Sequence, residues 1–330
     1  MPRRPNRPIT SAAVSRARRT DRIAIATPGD FVTAQAGAID RSQLAGETLL
    51  PYCLDFLRQR SVYVAGVGTA AAQAAPFYYL HLRRHAQRVV SAPWEALPFA
   101  LQPQLAPVFL FSPGRCGSTL LSRLLSAAGC ANVSEPDFYT QATGIFAAGP
   151  LNPWRAPMTR AVAAMGVDLA QALDPTQALI VKLRAESCRA PELLVPDPDR
   201  RTIFMTRGFE AWARSNQRAF RNGARKAVGK YLRAMTCEAW LKKNSRCHVL
   251  RYEDLQSDPL GTAAALGRFL WRDIPPAVVE ATMKEDSQEG TPLEQGARGD
   301  VPGWERRLDE TMALWNSAKV RRIRDRLGAA

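Results

Sequence analysis

Short apolar runs alternate with amphipathic segments over roughly the last two thirds of the chain. Five of these runs have the pattern of β-strands: residues 107–111, 131–134, 178–183, 201–206 and 246–252. Strands that alternate with helices form a parallel sheet whose two faces are both covered. Residues 105–330 are therefore predicted to fold as one α/β domain, with a parallel sheet flanked by helices.

The first hundred residues have a different pattern. Six arginines precede the first acidic residue, Asp21, which predicts a basic, flexible arm over residues 1–27. From Asp40 to about Leu97 the sequence is rich in alanine and helical in pattern. Residues 28–104 are therefore predicted to be a helical N-terminal extension, and several prolines near its end indicate a connector into the first strand.

The composition favours anionic partners. Lys and Arg outnumber Asp and Glu by 45 to 30, which gives a formal net charge of +15. A charge of this sign suits nucleic acid, a membrane surface or a highly charged cofactor. No apolar run reaches the roughly 18 residues of a membrane span, so the sequence predicts no membrane-spanning helix.

The cysteines and histidines predict neither disulfides nor a metal site. The six cysteines are widely separated and have no metal-finger spacing, a usage typical of reduced thiols in a cytoplasmic protein. His81 and His85 are four residues apart and share a helix face. Without a third ligand nearby, this pair does not indicate a metal centre.

A glycine-bearing turn follows the first predicted strand and leads into an amphipathic helix over residues 119–128, the layout of a phosphate-binding loop. A nucleotide-hydrolysing loop has Lys directly before its Ser or Thr, whereas Gly117 stands before Ser118 here. Backbone N–H groups from Gly114 to Thr119 are predicted to point at one small anion, and Arg115 adds a planar charge. The alternative is an ordinary helix capped by Ser118 or Thr119.

Two further elements place polar residues at strand ends. Arg207 ends the fourth strand and Ser215 follows two helical turns later. The pair could clamp a second phosphate, because ligands bind at the carboxyl ends of parallel strands; a surface Arg and an ordinary helical Ser are the alternative. Tyr252 ends the fifth strand, where it could stack on a ligand or form a hydrogen bond with it.

In this order, the three elements resemble those of the sulfotransferase family. PGRCGSTLL matches the family's loop around the 5′-phosphosulfate, FMTRGFEAWARS its 3′-phosphate element, and LRYEDLQSDP its late strand motif. ARGDVPGW, residues 297–304, is a looser likeness to the segment that closes over the cofactor. The resemblance covers about residues 105–305, and it departs from the family at Cys116, where Ser is usual.

The resemblance implies a P-loop-type fold and a cofactor, 3′-phosphoadenosine 5′-phosphosulfate (PAPS), used without a metal. The implied cofactor-binding residues are Gly114, Arg115, Cys116, Gly117, Ser118, Thr119, Arg207, Ser215, Tyr252, Arg298 and Gly299. The implied reaction is transfer of a sulfuryl group from PAPS to an acceptor hydroxyl or amine.

Sulfuryl transfer needs a base for the acceptor and positive charge for the leaving phosphate. Glu135 directly follows the second predicted strand, and the resemblance to tyrosylprotein and carbohydrate sulfotransferases implies that it is the general base. Lys182, at the end of the third strand, and Arg115 are the implied stabilisers of the transferred group. His248 is the competing base because cytosolic relatives use a His, although its apolar strand neighbours are typical of a core residue.

Two other functions are alternatives. A small-molecule kinase on the same fold needs the Gly-Lys-Ser/Thr sequence that this loop lacks. A basic nucleic-acid-binding protein would account for the charge of +15, but the sequence has no aromatic and basic recognition motif, so nucleic acid is not expected as a partner. The acceptor and the oligomeric state stay open.

Overall fold

The computed structural model describes residues 7–20, 24–99, 107–149, 153, 155–173, 179–285 and 300–328. The chain forms two compact units. The first unit consists of Met1–Pro107 and Ala131–Val181, and the second of Val108–Cys130 and Lys182–Ala330. Residues 131–181, expected to be part of the α/β domain, therefore belong to the same unit as the N-terminal part of the chain.

An antiparallel sheet forms much of the first unit. Its strand order is β2-β1-β6-β5-β4, and β3 also pairs with β1. The strands are β1 (Ile9–Ala17), β2 (Phe31–Thr33), β3 (Gly37–Ile39), β4 (Leu50–Asp55), β5 (Arg60–Ala65) and β6 (Arg88–Pro93). Two short helices, α1 (Thr69–Ala74) and α2 (Tyr78–His85), lie between β5 and β6 in the sequence.

This sheet corrects the prediction of a helical extension over residues 28–104. Every residue of β4 is buried, and so are five of the six residues of β5. Val62, Tyr63 and Val64 pair with Val90 and its neighbours across β5 and β6. Strand pairing of β-branched and aromatic residues outweighs the helix propensity of the surrounding alanines. Within the described residues 28–99, the alanine-rich stretch forms the short helix α1.

The predicted basic arm over residues 1–27 also contains a strand. Within β1, Thr10 lies opposite Ser91 of β6, Ile9 opposite Ile39 of β3, and Val14 opposite Thr33 of β2. The strand thus has partners on both sides and is not an unstructured arm. Its small and polar residues carry little apolar signal, and distant strands supply the pairing that fixes it.

A buried charge network holds α2 to the N-terminal segments of the first unit. The side chains of Asp30 and Arg83 are both 0% exposed, and Arg83 Nη2 lies 3.0 Å from Asp30 Oδ2. Asp30 also pairs with Arg19 and accepts a hydrogen bond from the Tyr52 hydroxyl. The two buried charges therefore neutralise each other and have further hydrogen-bond partners.

The second sheet is parallel, has five strands and confirms the predicted α/β fold. Its strand order is β11-β10-β7-β9-β8. The strands are β7 (Val108–Phe111), β8 (Asn132–Ser134), β9 (Ile180–Lys182), β10 (Arg201–Thr206) and β11 (Arg246–Arg251). β10 is parallel to both neighbours, with Ile203 opposite Leu110 and His248. Each of the five predicted runs contains one of these strands.

The remaining helices follow or connect these strands. They are α3 (Ser118–Ala127), α4 (Asp137–Phe146), α5 (Arg155–Leu173), α6 (Pro191–Leu194), α7 (Phe209–Ala219), α8 (Ala224–Asn244), α9 (Tyr252–Ser257), α10 (Pro259–Leu270), α11 (Pro276–Lys284), α12 (Trp304–Trp315) and α13 (Ala318–Gly328). Among the described helices, none is both long and apolar enough to cross a bilayer.

An aromatic cluster fixes α7 and α8 in the second unit. The Phe209 and Trp315 rings stack with centroids 3.7 Å apart, and the Tyr231 ring packs edge-on against both. Trp212 of α7 completes the cluster and is fully buried. Because α7 follows β10 directly, this packing sets the positions of the polar side chains of α7 at the end of that strand.

Candidate anion-binding site

The loop between β7 and α3 has an unusual backbone. Gly114, Arg115 and Gly117 have φ angles of 71°, 57° and 85°, so three of four consecutive residues lie in the left-handed region. Such successions of conformations curl the backbone into anion-binding concavities. Arg115 is not a glycine and pays a conformational cost there, a kind of strain that clusters at functional sites.

The loop leads into α3 without a side-chain cap. Gly117 is the N-cap residue and no side-chain hydrogen bond caps the helix, because Ser118 and Thr119 are already its first two residues. The reading of the loop as an ordinary helix cap is therefore wrong. Gly114 also differs from expectation, since its N–H donates to Ser112 Oγ at 3.2 Å. The positive end of α3 still faces the loop.

Gly117 lies against Tyr252, the residue that follows β11 and begins α9. A Cβ at this position would lie 2.4 Å from Cδ2 of Tyr252 and 3.1 Å from Cε of Met205. Contacts as close as 2.4 Å do not occur between real side chains, and the φ of 85° adds strain for any other residue. Glycine at 117 thus lets the Tyr252 ring pack directly on the loop.

We expect Gly117→Ala to destabilise the protein more than Gly114→Ala. Both substitutions place alanine in the left-handed region, which costs about 1–2 kcal/mol. Only the first also displaces the Tyr252 ring, which adds about 1–3 kcal/mol, because the nearest atoms to a Cβ at 114 are 3.5 Å away. Urea unfolding of both variants measures the difference, and equal losses would contradict the contact.

Arg115 points from the loop to α7. Its Nε donates to Ser215 Oγ at 3.1 Å, so the structure brings together two residues that the sequence assigned to opposite ends of the cofactor. Burial lowers the pKa of Arg115, and so do the positive charges of Arg207 and Arg218. This repulsion among guanidinium groups indicates a site that favours an anion.

Arg207 lies against Tyr252 at the end of β10. Its guanidinium carbon is 4.5 Å from the centre of the Tyr252 ring, and its carbonyl accepts a hydrogen bond from the Tyr231 hydroxyl. Among the described residues, Arg207 Nε is buried without a hydrogen-bond partner. A buried donor of this kind fits an anionic ligand, because a buried N–H group without a hydrogen bond is costly.

Glu253, in the first turn of α9, bonds the start of α7. Its Oε1 accepts the N–H of Gly208 at 2.9 Å, and Gly208 is the N-cap residue of α7. The acidic residue of the late strand motif therefore holds the start of the helix that carries Ser215. Glu253 therefore helps to position α7.

Lys182 is a buried cation whose charge acts on Cys116 of the loop. Lys182 is 2% exposed and ends β9. Burial raises the pKa of the Cys116 thiol, while interactions with Ser112 and Ser118 and the charge of Lys182 act in the opposite direction. Cys116 Sγ also contacts the carbonyl of Met205 at 3.4 Å. Lys182 is therefore a buried cation at the end of β9.

Two cations of the site were missed by the sequence analysis. Arg218, one turn after Ser215, is held by Asp300 at 2.8 Å and contributes positive charge at Arg115. Lys230 of α8 has its Nζ 3.8 Å from the position of a Cβ at Gly114. Neither residue has a sequence signal, because basic residues are common on helix surfaces and only the tertiary fold brings these two to the loop.

The competing bases have different surroundings. Glu135 lies in the first unit between β8 and α4, half-buried, with a φ of 63°. His248 lies within β11, where its ring stacks on Phe269 of α10 at 5.2 Å and burial lowers its pKa. Arg298 and Gly299 lie outside the described residues.

A scan against models of known protein families and a search of curated proteins find no match. Among solved structures, the chain is similar to the sulfotransferase domain from the curacin biosynthetic pathway, with 15% identity and a TM-score of 0.38 over 69% of this chain and 99% of that chain. It is similar to a mouse sulfotransferase complexed with PAP, with 13% identity and a TM-score of 0.38 over 67% and 88%. A third is a sulfotransferase from Mycobacterium tuberculosis, with 16% identity and a TM-score of 0.35 over 55% and 72%.

Proposed function

We propose that this protein is a sulfotransferase that binds PAPS and transfers its sulfuryl group to an acceptor hydroxyl or amine. The observation that carries the proposal is the contact among the three motif elements. Arg115 of the loop bonds Ser215, the Tyr252 ring packs on Gly117, and Arg207 stacks on Tyr252. Sequence elements that resemble one cofactor site are thus joined in one cluster.

The residues of the second unit suit the two anionic ends of PAPS. Arg207, Ser215 and Arg115 are proposed to hold the 3′-phosphate, and the loop with the positive end of α3 to hold the 5′ end. Tyr252 offers a ring face beside Arg207. When bound, PAPS supplies the activated sulfuryl group, and these residues would bind and orient it.

Lys182 is proposed to stabilise the transferred group. A buried lysine is costly unless an anion or polar partners compensate its charge, and Lys182 is 2% exposed. Its charge acts on Cys116 within the loop. A cation in this position would offset negative charge that develops on the leaving phosphate.

Glu135 is proposed to be the general base. A glutamate with a φ of 63° adopts a backbone conformation that costs about 1–3 kcal/mol and that persists where the surrounding structure enforces it. Ser134 Oγ donates to the Pro76 carbonyl at 2.8 Å, and Asp137 Oδ2 accepts the Ala26 N–H at 2.7 Å. The residues on both sides of Glu135 are therefore anchored, which favours a functional reason for the strain.

Binding of nucleotides tests the proposed cofactor. Adenosine 3′,5′-bisphosphate is expected to bind the wild-type protein more tightly than AMP, because the cluster around Arg207 contacts the 3′-phosphate. Arg207→Ala should lose about 1.5–3 kcal/mol of bisphosphate binding, the scale of a charge-assisted hydrogen bond, and little AMP binding. Isothermal titration measures both ligands. Equal affinities of the wild-type protein for AMP and the bisphosphate would refute the assignment and favour a kinase.

A further inference from the structure

Lys230 reaches the start of the loop that the proposed function assigns to the cofactor. Its Nζ is 3.8 Å from the position that a Cβ would occupy at Gly114. The Lys230 side chain is 18% exposed, and its Nζ is 5.8 Å from the centre of the Phe220 ring. Because Gly114 has no side chain, the ammonium group approaches the loop backbone itself.

Arg115 is part of the cluster that we propose for the 3′-phosphate. The family resemblance implied that Arg115 stabilises the transferred sulfuryl group. In the structure, Arg115 Nε donates a hydrogen bond to Ser215 Oγ at 3.1 Å. Its guanidinium group thus belongs with Arg207 in the cluster proposed for the 3′-phosphate. The cation observed beside Gly114 is contributed by α8 instead of by the loop.

The positive charge of Lys230 is only partly neutralised. Glu186 Oε1 is 4.0 Å from Lys230 Nζ, the outer limit of an ion pair. Burial raises the pKa of Glu186, but the positive charges of Lys230, Arg184 and Arg189 help to hold it below its usual value. One carboxylate therefore interacts with three cations, and at 4.0 Å it pairs only loosely with Lys230.

We propose that Lys230 binds the 5′ end of the cofactor, donating a hydrogen bond to an oxygen of the 5′-phosphate or of the sulfo group attached to it. This assignment rests on the proposed function and adds a residue that the sequence motifs do not contain. Each anionic end of the nucleotide then has its own cations, with Lys230 at the loop and Arg115 and Arg207 at the 3′ end.

Titration with three nucleotides tests this assignment. Lys230→Met is expected to lower the affinities for adenosine 3′,5′-bisphosphate and for AMP by about 10- to 100-fold, the range of a charge-assisted hydrogen bond. The affinity for adenosine 3′-monophosphate should change by less than about twofold, because that ligand has no 5′-phosphate. Lys226→Met is the matched control, since Lys226 lies one turn earlier on α8 and is exposed, and all three affinities should be retained.

Glu186→Gln is expected to change the nucleotide affinity in the opposite direction. Removal of the carboxylate frees Lys230 from a competing partner, so the affinity for the bisphosphate is expected to rise by a few-fold. A fall as large as that of Lys230→Met would mean that the pair acts only as a structural unit, which overturns the proposal. Lys230→Gln repeats the titration if Lys230→Met does not fold, as judged by circular dichroism.

The outcomes separate the two proposals. If the wild-type protein prefers the bisphosphate to AMP, and the Lys230 variants lose no affinity or lose it equally for all three nucleotides, only the assignment of Lys230 is wrong. If the wild-type protein binds AMP and the bisphosphate equally, the proposed function is wrong and the assignment of Lys230 falls with it.

Discussion

Glu135→Gln is expected to lower turnover by roughly 10²- to 10⁴-fold, the contribution of a general base. Glutamine keeps the shape of the side chain and can still form hydrogen bonds, but its amide cannot take the proton of the acceptor. The affinity for adenosine 3′,5′-bisphosphate should be nearly unchanged, because Glu135 is not among the proposed nucleotide ligands. Steady-state kinetics with an acceptor, together with isothermal titration, measure the two effects.

Three further variants sharpen this prediction. Glu280→Gln changes an exposed glutamate of α11 and should keep full turnover. Glu135→Gly removes the base and suits the φ of 63°, so it should abolish turnover without adding backbone strain. Near-full turnover in Glu135→Gln combined with loss of turnover in His248→Asn would identify His248 as the base.

Asp30→Asn is expected to lower the free energy of unfolding by about 3–5 kcal/mol at neutral pH, the scale for removing one partner of a buried ion pair. The change removes the carboxylate that lies 3.0 Å from Arg83 Nη2 in a pair whose two side chains are both 0% exposed. Urea unfolding measures the loss. Asp199→Asn is the matched control, because Asp199 and its partner Arg246 are 77% and 58% exposed, and surface pairs contribute at most about 1 kcal/mol.

The destabilisation by Asp30→Asn should depend on pH. Burial raises the pKa of Asp30, but hydrogen bonds from Tyr52, Arg19 and Thr27 and the charge of Arg83 outweigh burial and lower it. A lowered carboxyl pKa contributes stability above the pKa of the unfolded state, about 3.9, and this contribution is lost as the pH falls through the folded value. The difference between wild type and variant should therefore shrink below about pH 4; a constant difference would contradict the role of the ionised carboxylate.

The strands of the parallel sheet could be predicted because their signal is local. Phe111, Val181 and Phe204 lie in short apolar runs buried within the sheet, and such runs are recognisable without knowledge of their partners. The antiparallel sheet could not be predicted in this way. β1 contains Ser11, Ala12 and Ala13, whose pairing with β3 and β6 depends on residues far along the chain.

The sequence predicts those site residues that stand directly after a strand or at helical spacing from such a residue. The eight-residue separation of Arg207 and Ser215 indicated one common edge; Ser215 bonds Arg115 of the loop, and Arg207 contacts the Tyr252 ring. The direction of the Arg115 side chain could not be predicted, because a long, flexible side chain selects its partner only after the strands have assembled. The same holds for Lys230, which comes from a helix far from the loop in sequence.

The hydrogen bond from Trp212 Nε1 to the Gly114 carbonyl, 2.7 Å long, makes an indole ring an intrinsic optical reporter of the loop. Indole emission responds to hydrogen bonding and to the local electric field, so a nucleotide anion placed beside Gly114 should alter the fluorescence of Trp212. The protein contains seven tryptophans, and subtraction of a Trp212→Phe titration isolates this one. Occupancy of the loop can then be followed in real time with unlabelled nucleotides, before any acceptor has been identified.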